Sequence, residues 1–457
     1  MPLHTISSLN HNGQGVTHVD GLVTFVDGAL PGDRVEIRIT ERKPKYQTAE
    51  ITRLVEASTD RSIEYLPAEE RCGGCHLDHL AYPAQLAWKE QTVKDQLIRI
   101  GKLDPETVER LTRPTLASPS VWQYRNKVSF PIRGSSDAPE IGFFEPRSHR
   151  IIDADVCHAQ PPVSNAIRAA IREWIQLYGI EPYNEKNHSG LLRHAVIRIG
   201  FRSREIMLIL VVNSQQRPDL PYGALEDMIE EQCNAMGYRF ASYYLNYQAE
   251  PTNLILGRTF ELVSGQTSIN EELLDTKYRI SPGSFFQINT AQTANLYSEV
   301  LRALDLNGAE EVFDLYCGSG SITLQIAMSA KHATGIELFP AAISDARLNA
   351  EANSITNVEF HQGAAEIVVP KLARNGQTAD AIVVDPPRKG CDAKLLRTML
   401  EMKANKIVYV SCNPATLARD LKILLEGPYV VTSIQPVDMF PATSHVETVV
   451  LMSRVDK

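Results

Sequence analysis

From about residue 290 onward, short apolar runs alternate with segments of helical period, and this alternation constrains the chain more than any other feature. A helix over Ala291 to Leu304 leads to a strand at Glu311 to Leu315. A Gly-containing loop then opens a helix near Thr323, followed by a strand at His332 to Ile336 and a helix at Ala341 to Asn353. Further strands are expected at Ala381 to Val384 and Lys406 to Val410. Parallel strands need long crossovers, usually helical, so this order predicts an α/β unit with a doubly wound sheet. Ligands of such sheets sit beyond the carboxyl ends of the strands.

The preceding residues read differently. With 457 residues the chain exceeds a single hydrophobic core and divides into two or three domains. Up to about residue 58, Asp20-Gly21, Asp27-Gly28 and Pro31-Gly32 punctuate short alternating runs, the pattern of a small β-barrel. Arg38, Arg42, Lys43 and Lys45 gather beside Tyr46. That cluster reads first as a solvated hairpin tip, with phosphate contacts as the functional alternative. Leu86, Val93, Leu97 and Ile100 predict a helix over 82–100, ended by Gly101. The stretch 117–275 mixes strands (Lys127 to Ile132, His194 to Ile199, Ile206 to Val212) with helices (Ser164 to Leu177, Ala224 to Met236).

Composition narrows the setting. No apolar run reaches the roughly 18 residues that span a bilayer. The segment Met1 to Gly13 lacks the basic-then-apolar order of a secretory signal, so a cytoplasmic location and no membrane partner are expected. Seven cysteines, an odd number, argue for reduced thiols with ligating or catalytic roles. A net charge of −9 does not advertise a nucleic-acid binder, although a local basic face would suffice for one.

The chemistry lies in the loops after the strands. Asp314-Leu315-Tyr316-Cys317-Gly318-Ser319-Gly320-Ser321 lets backbone approach a ligand closely, but Thr323 occupies the third glycine position of a dinucleotide cradle. The next strand ends in Gly335-Ile336-Glu337, where a carboxylate accepts hydrogen bonds from two ribose hydroxyls. Loop, acidic strand end and the motifs that follow them together favour S-adenosylmethionine over a dinucleotide. Asp385-Pro386-Pro387-Arg388 follows another strand and by itself fits methylation of an exocyclic amine equally well.

Ser411-Cys412-Asn413-Pro414 separates those chemistries. C5 of uracil is a poor nucleophile until a thiolate adds to C6; an amine needs no such thiol. Cys412 is therefore the candidate nucleophile. The C5 proton must then leave, and Glu447 and His445 both qualify as the base. Cys391, near Arg388, is the rival thiol; Cys317 reads as loop packing and Cys233 as core.

These residues resemble the bacterial RNA uracil-5-methyltransferases that carry an N-terminal TRAM domain. The resemblance runs over nearly the whole chain: the barrel, Cys72-Gly73-Gly74-Cys75, the run Ser281 to Asn289, Asp314 to Gly320, Asp385 to Arg388, Ser411 to Pro414 and His445-Val446-Glu447. It implies Cys412 as nucleophile, Glu447 as base, and cofactor contacts from Gln287, Tyr316, Glu337 and Asp385. It implies a uridine flipped out of its stack, with Phe285 and Phe286 available to stack on RNA bases. It also implies an iron–sulfur cluster on four cysteines. Cys72, Cys75 and Cys157 match, whereas Leu66 stands where the fourth is expected, leaving an unusual fourth ligand, zinc with His76 or His158, or no ion as alternatives.

The expected fold class is α/β: a Rossmann-like methyltransferase domain (276–457), an N-terminal TRAM, OB-like barrel (1–58) and a central α+β domain (59–275), with the helix near 86–112 able to pack on the catalytic part. The expected partner is RNA, 23S ribosomal RNA by family analogy, acted on by a monomer. The alternatives are the same chemistry on tRNA, methylation of an exocyclic amine or a protein, and a non-catalytic RNA-binding factor.

Overall fold

Strict alternation folds the N-terminal segment into a six-stranded sheet. The structure is a computed structural model describing residues 2–63, 72–146 and 148–455. Strands β1 (Leu3–Thr5), β2 (Ser8–Leu9), β3 (Gly15–Val19), β4 (Leu22–Asp27), β5 (Arg34–Arg42) and β6 (Tyr46–Glu56) take the order β1-β5-β6-β4-β3-β2. Asp20 and Gly21, both at positive φ, make the tight turn between β3 and β4. Ile6, Val26, Ala29, Val35, Ile37 and Ala49 form the core. The buried Asp33 carboxylate accepts from Leu30 N at 2.7 Å and Ser58 N at 2.8 Å and pairs with Arg61, closing one end. In the basic cluster, Arg38 pairs with Glu50 and Lys43 with Glu41.

Two helices follow, α1 (Tyr82–Arg99) and α2 (Pro105–Leu111), the latter capped by Asp104 accepting from Thr107 N at 2.8 Å. Their apolar faces leave the central domain. Val93, Leu97 and Val108 share one core with Leu395, Leu417, Leu421 and Ile434 near the C-terminus. The chain then runs beside residues 434–438: Arg113 N donates to Ile434 O at 2.9 Å and Leu116 N to Pro436 O at 2.9 Å.

The central sheet has the order β14-β13-β12-β11-β7-β8. Its strands are β7 (Lys127–Gly134), β8 (Pro139–Ile141), β11 (Leu192–Gly200), β12 (Glu205–Val212), β13 (Arg239–Tyr247) and β14 (Thr259–Gly265); a small ribbon, β9 (Phe143–Phe144) and β10 (Ile151–Ile152), adjoins it. Helices α3 (Pro162–Tyr178) and α4 (Tyr222–Ala235) cover one face, burying Trp174, Ile171 and Ile229 against Phe130 and Leu208. On the other face packs the hairpin β15 (Ile269–Leu273) and β16 (Thr276–Ile280), through Ile269 and Ile280. The 275/276 boundary expected from sequence falls in the turn of this hairpin.

The catalytic sheet has seven strands in the order β19-β18-β17-β20-β21-β23-β22. They are β17 (Glu311–Leu315), β18 (His332–Glu337), β19 (Val358–Gln362), β20 (Ala381–Val384), β21 (Lys406–Ser411), β22 (Tyr429–Val437) and β23 (Glu447–Arg454). The first five run parallel; β23 is antiparallel to both neighbours. Helices α5 (Thr290–Leu304), α6 (Ser321–Ala327), α7 (Pro340–Ala352), α8 (Ala365–Arg374), α9 (Ala393–Met402) and α10 (Pro414–Leu424) flank it. Strand order reverses between β17 and β20, which opens a crevice at their carboxyl ends. Among the described residues no helix is long and apolar enough to cross a membrane.

A fully buried ion pair joins the two ends of the molecule. Lys89 of α1 bonds the Asp438 carboxylate and donates to Phe440 O at 3.0 Å. Removing one partner of such a pair strands a charge, so Lys89→Met should cost about 3–5 kcal/mol. Lys89→Met combined with Asp438→Leu should recover most of that loss. Guanidinium unfolding of the full chain measures both; a single-variant cost below about 1 kcal/mol, the range of exposed pairs, would contradict this account.

Candidate active site

The strand ends gather acids. β17 ends at Asp314-Leu315, and Tyr316 takes a left-handed φ of 68° that turns the chain back over the sheet. Tyr316 N and Cys317 N both donate to Ile336 O, at 2.9 and 3.0 Å, tying this loop to β18. A non-glycine residue there costs of order 1–3 kcal/mol and persists only where its surroundings impose it. Gly335 leaves room beneath: a Cβ would stand 2.9 Å from Cys317 Sγ and 2.7 Å from Phe360. Cys317 is thus buried loop packing.

Glu337 lies at the end of β18. Its carboxylate accepts from Gly318 N at 3.1 Å and Phe339 N at 2.9 Å, which fixes its direction and leaves lone pairs for a ligand. Asp314 is buried, accepts from Thr323 Oγ1 at 2.6 Å through one oxygen, and has no partner on the other among the described residues. Burial, with Glu337 nearby, pushes Asp314 up to about 7. Thr323, which breaks the dinucleotide pattern, holds this carboxylate, and sequence reading assigned it no such part. Nothing stands within 4 Å of where a Cβ on Gly318 would lie. An orphaned acid oxygen, an oriented carboxylate and open space above a glycine fit a hydroxyl-bearing, phosphate-free ligand such as S-adenosylmethionine.

The β20 and β21 ends complete the floor. Asn413 accepts from Ala415 N at 3.0 Å to cap α10, and Pro414 occupies the first helical turn. The Asn413 side chain and Thr416 Oγ1 both donate to Arg388 O at 3.2 Å, so this turn and the Asp385–Arg388 loop are fastened together. Cys412 is half-buried between them. Burial, then Glu447 and Asp385, push its thiol up to about 12, while Arg388 opposes them. Glu447, at the start of β23, is only 3% exposed. Burial and Asp385 raise its carboxyl well above the usual range. Asp385 is likewise raised by burial and by Asp314.

The rival residues sit in different surroundings. Cys391 is buried, its backbone N donating to Asp420 at 2.8 Å, and Tyr409 donates to the same carboxylate at 2.6 Å. Its thiol is also pushed up to about 12 by burial, but it belongs to the core beneath Tyr316. His445 meets Arg388 through Nδ1 at 3.2 Å and is lowered to about 4 by burial and that guanidinium.

The Ser281–Asn289 run borders the crevice. Asn289 caps α5 and donates to Met439 O at 3.2 Å and Ser118 Oγ at 3.1 Å. Gln287 is held by its backbone carbonyl, which accepts from Asn126 Nδ2 at 2.8 Å. The two phenylalanines separate: Phe286 packs on Tyr278 with ring centroids 6.0 Å apart, whereas Phe285 is 68% exposed. Tyr124 is buried, its hydroxyl donating to Pro441 O at 3.1 Å.

Cys72, Cys75 and Cys157 line one small cavity with Arg168. Burial pushes all three thiols up, Cys75 to about 12, and Arg125 opposes the rise. His76 is not free to ligate through Nε2, which accepts from Ser444 N at 3.0 Å. Among the described residues no three His, Cys, Asp or Glu side chains converge as a metal site. The fourth expected position, Leu66, lies outside the described residues. As they stand these residues do not fit a four-thiolate cluster, and no step below runs through one.

The family model described as tRNA (Uracil-5-)-methyltransferase matches residues 248–455, and the TRAM domain model matches residues 5–52. An uncharacterized RNA methyltransferase of Halalkalibacterium halodurans is 42% identical over 98% of this chain and 96% of its own length. One from Listeria innocua is 40% identical, again over 98% and 96%. The crystal structure of the Pyrococcus abyssi tRNA (uracil-54, C5)-methyltransferase in complex with S-adenosyl-L-homocysteine superposes with a TM-score of 0.79. That relative is 29% identical, over 98% of this chain and 99% of its own. The chain belongs to the S-adenosylmethionine-dependent RNA (uracil-5-)-methyltransferase family and carries a TRAM domain at its N-terminus.

Proposed function

We propose that this enzyme methylates C5 of a uridine in 23S ribosomal RNA through covalent addition of Cys412 to C6 of a flipped-out base. The observation that carries the reading is a half-buried thiol at a strand end with two desolvated carboxyl groups, Asp385 and Glu447, bearing on it. Methylation of an exocyclic amine has no use for that thiol. The barrel favours ribosomal RNA by analogy within the family. A tRNA uridine is the second reading, favoured by the name of the Pyrococcus abyssi relative. The enzyme is taken to act as a cytoplasmic monomer.

S-Adenosylmethionine supplies an electrophilic methyl group on a positively charged sulfur. Glu337 and Asp314 would accept from its hydroxyls, and Gln287, Tyr316 and Asp385 would supply further contacts. The Cys412 proton leaves to solvent and its sulfur bonds to C6 of uracil, which gives C5 the electron pair of an enolate. C5 takes the methyl group. Glu447 then removes the C5 proton, and the electrons of that C–H bond expel the thiolate from C6. Glu447 suits this step better than His445, because Glu447 couples to Cys412 while His445 is engaged by Arg388.

The acids carry a cost when no cation is present. Asp314, raised to about 7, titrates near 3.9 when unfolded. A raised folded value means that its contribution is complete below about pH 4 and is lost as pH climbs through about 7. Asp314→Asn should therefore melt above the parent at pH 8 and by a smaller margin at pH 5, while binding S-adenosylhomocysteine more weakly. Equal margins at the two pH values would contradict a buried charge.

The chemistry is tested with 23S ribosomal RNA carrying 5-fluorouridine, where fluorine cannot leave as a proton. A denaturation-resistant protein–RNA adduct should form in the parent and vanish in Cys412→Ala, whose methylation of ordinary RNA should fall at least about 10³-fold. Glu447→Gln should instead accumulate a methylated adduct on ordinary RNA. Turnover of ordinary RNA with no fluorouridine adduct would sink the thiol mechanism, and methyl transfer to tRNA alone would replace the substrate.

A further inference from the structure

One cation in the basic run at residues 125–127 has no structural task. Arg125 stands among the three thiols, and the Asn126 side chain is spent on Gln287 O and Thr290 Oγ1. Lys127 is half-buried, yet its ammonium makes no hydrogen bond or ion pair among the described residues. Directly across the β7–β11 ladder from Lys127 is Arg198. Val128, Phe130, Ile197 and Ile199 point to the face under α3 and α4. Strand alternation therefore sends Lys127 and Arg198 together to the opposite face, the one that meets β15 and β16.

Like charges directly opposite each other in a sheet are destabilising. Arg198 is only 3% exposed and bonds the Ser284 carbonyl, with Asp345 as its counter-charge. Its Nε has no partner among the described residues. Burial and the Arg198 charge push Lys127 down to about 8. Two cations facing each other across a ladder, one of them partly exposed, make this position favourable for an anion.

Position supplies the rest. Asn126 N donates to Ile288 O at 2.8 Å, and Arg125 bridges Asn289, so residues 125–127 run alongside 287–289. Lys127 thus stands beside the loop whose Ser284 carbonyl Arg198 holds and whose next residue, Phe285, is 68% exposed. We propose that Lys127, with the fixed charge of Arg198 behind it, binds a backbone phosphate of the RNA next to the target uridine, at the mouth of the crevice. Lys127 is then a positioning residue for the substrate. The proposal rests on the RNA-methylating reading above and names a contact that makes it selective for a strand held in one register.

The test uses the full chain and transcribed 23S ribosomal RNA. Lys127→Gln should weaken RNA binding about tenfold near 0.1 M salt. It should also lower the slope of log affinity against log salt by about 0.7, the value for one single-strand phosphate. Lys127→Arg should retain affinity and slope, and S-adenosylhomocysteine binding should not change in either variant. Because the substitution relieves a like-charge pair, Lys127→Gln should melt at or above the parent temperature. Unchanged RNA affinity would overturn the proposal, and so would weaker affinity with an unchanged salt slope. Failure of the contact alone leaves the fluorouridine adduct intact, whereas a parent protein that forms no adduct removes the reading on which the contact rests.

Discussion

Mutual repulsion among desolvated acids organises the catalytic end of this molecule. Asp314 acts on Asp385, Asp385 on Glu447, and both Asp385 and Glu447 on the Cys412 thiol. Such groups keep protons or find cations, since burying unpaired charge is the costliest thing a fold can do. A cationic sulfonium is complementary to this site in a way that the neutral sulfur left after methyl transfer is not. The field that raises these carboxyl groups relaxes when positive charge enters, which on the proposed mechanism would favour both an ionised Glu447 and the Cys412 thiolate. One electrostatic arrangement would then couple cofactor binding to the proposed nucleophile and to release of the spent cofactor.

Precision at that site depends on neighbours far away in sequence. Loop 438–447 delivers Glu447, and it is gripped by Lys89 at Asp438 and Phe440, by Asn289 at Met439, by Tyr124 at Pro441 and by Gln85 at Ala442. Lys89 and Gln85 both belong to α1, Asn289 caps α5, and Tyr124 precedes β7. Glu447, the proposed base, is therefore aimed by helix α1 and the cap of α5 as well as by its own loop, the condition for holding a reacting group within fractions of an ångström.

Much of this was legible in the sequence where a local rule applied. Alternation of strand and helix gave the parallel sheet, and the residues after each strand had to lie at one edge, so Glu337, Asp385 and Cys412 could be named together. Other features are relations between distant residues and left no local signal. The stretch 112–116 is too short, and interrupted by Pro114, to read as a strand, yet it pairs with 434–438. Cys412 stands out from Cys391 in sequence by its place at a strand end before Asn-Pro; the structure adds that Cys391 is buried beside the Tyr409–Asp420 pair while Cys412 is half-buried. Lys127 reads as an ordinary basic strand start until Arg198 is seen opposite it. Phe285 and Phe286 share a sequence context and differ only in which side of the loop the core takes.

The Lys89–Asp438 pair also dictates an order of events during synthesis. Its partners are separated by 349 positions. Helices α1 and α2 emerge from the ribosome early, with Val93, Leu97 and Val108 lacking the surface that will cover them until α9, α10 and β22 exist. The barrel and the central sheet can close meanwhile on contacts of their own, because domains fold as units while the chain is made. The catalytic half cannot: its edge beside β22 and the counter-charge of Asp438 are both supplied by the waiting N-terminal segment. A nascent chain stopped before α9 and α10 would hold an apolar helical hairpin exposed, the sort of surface that holdase chaperones recognise.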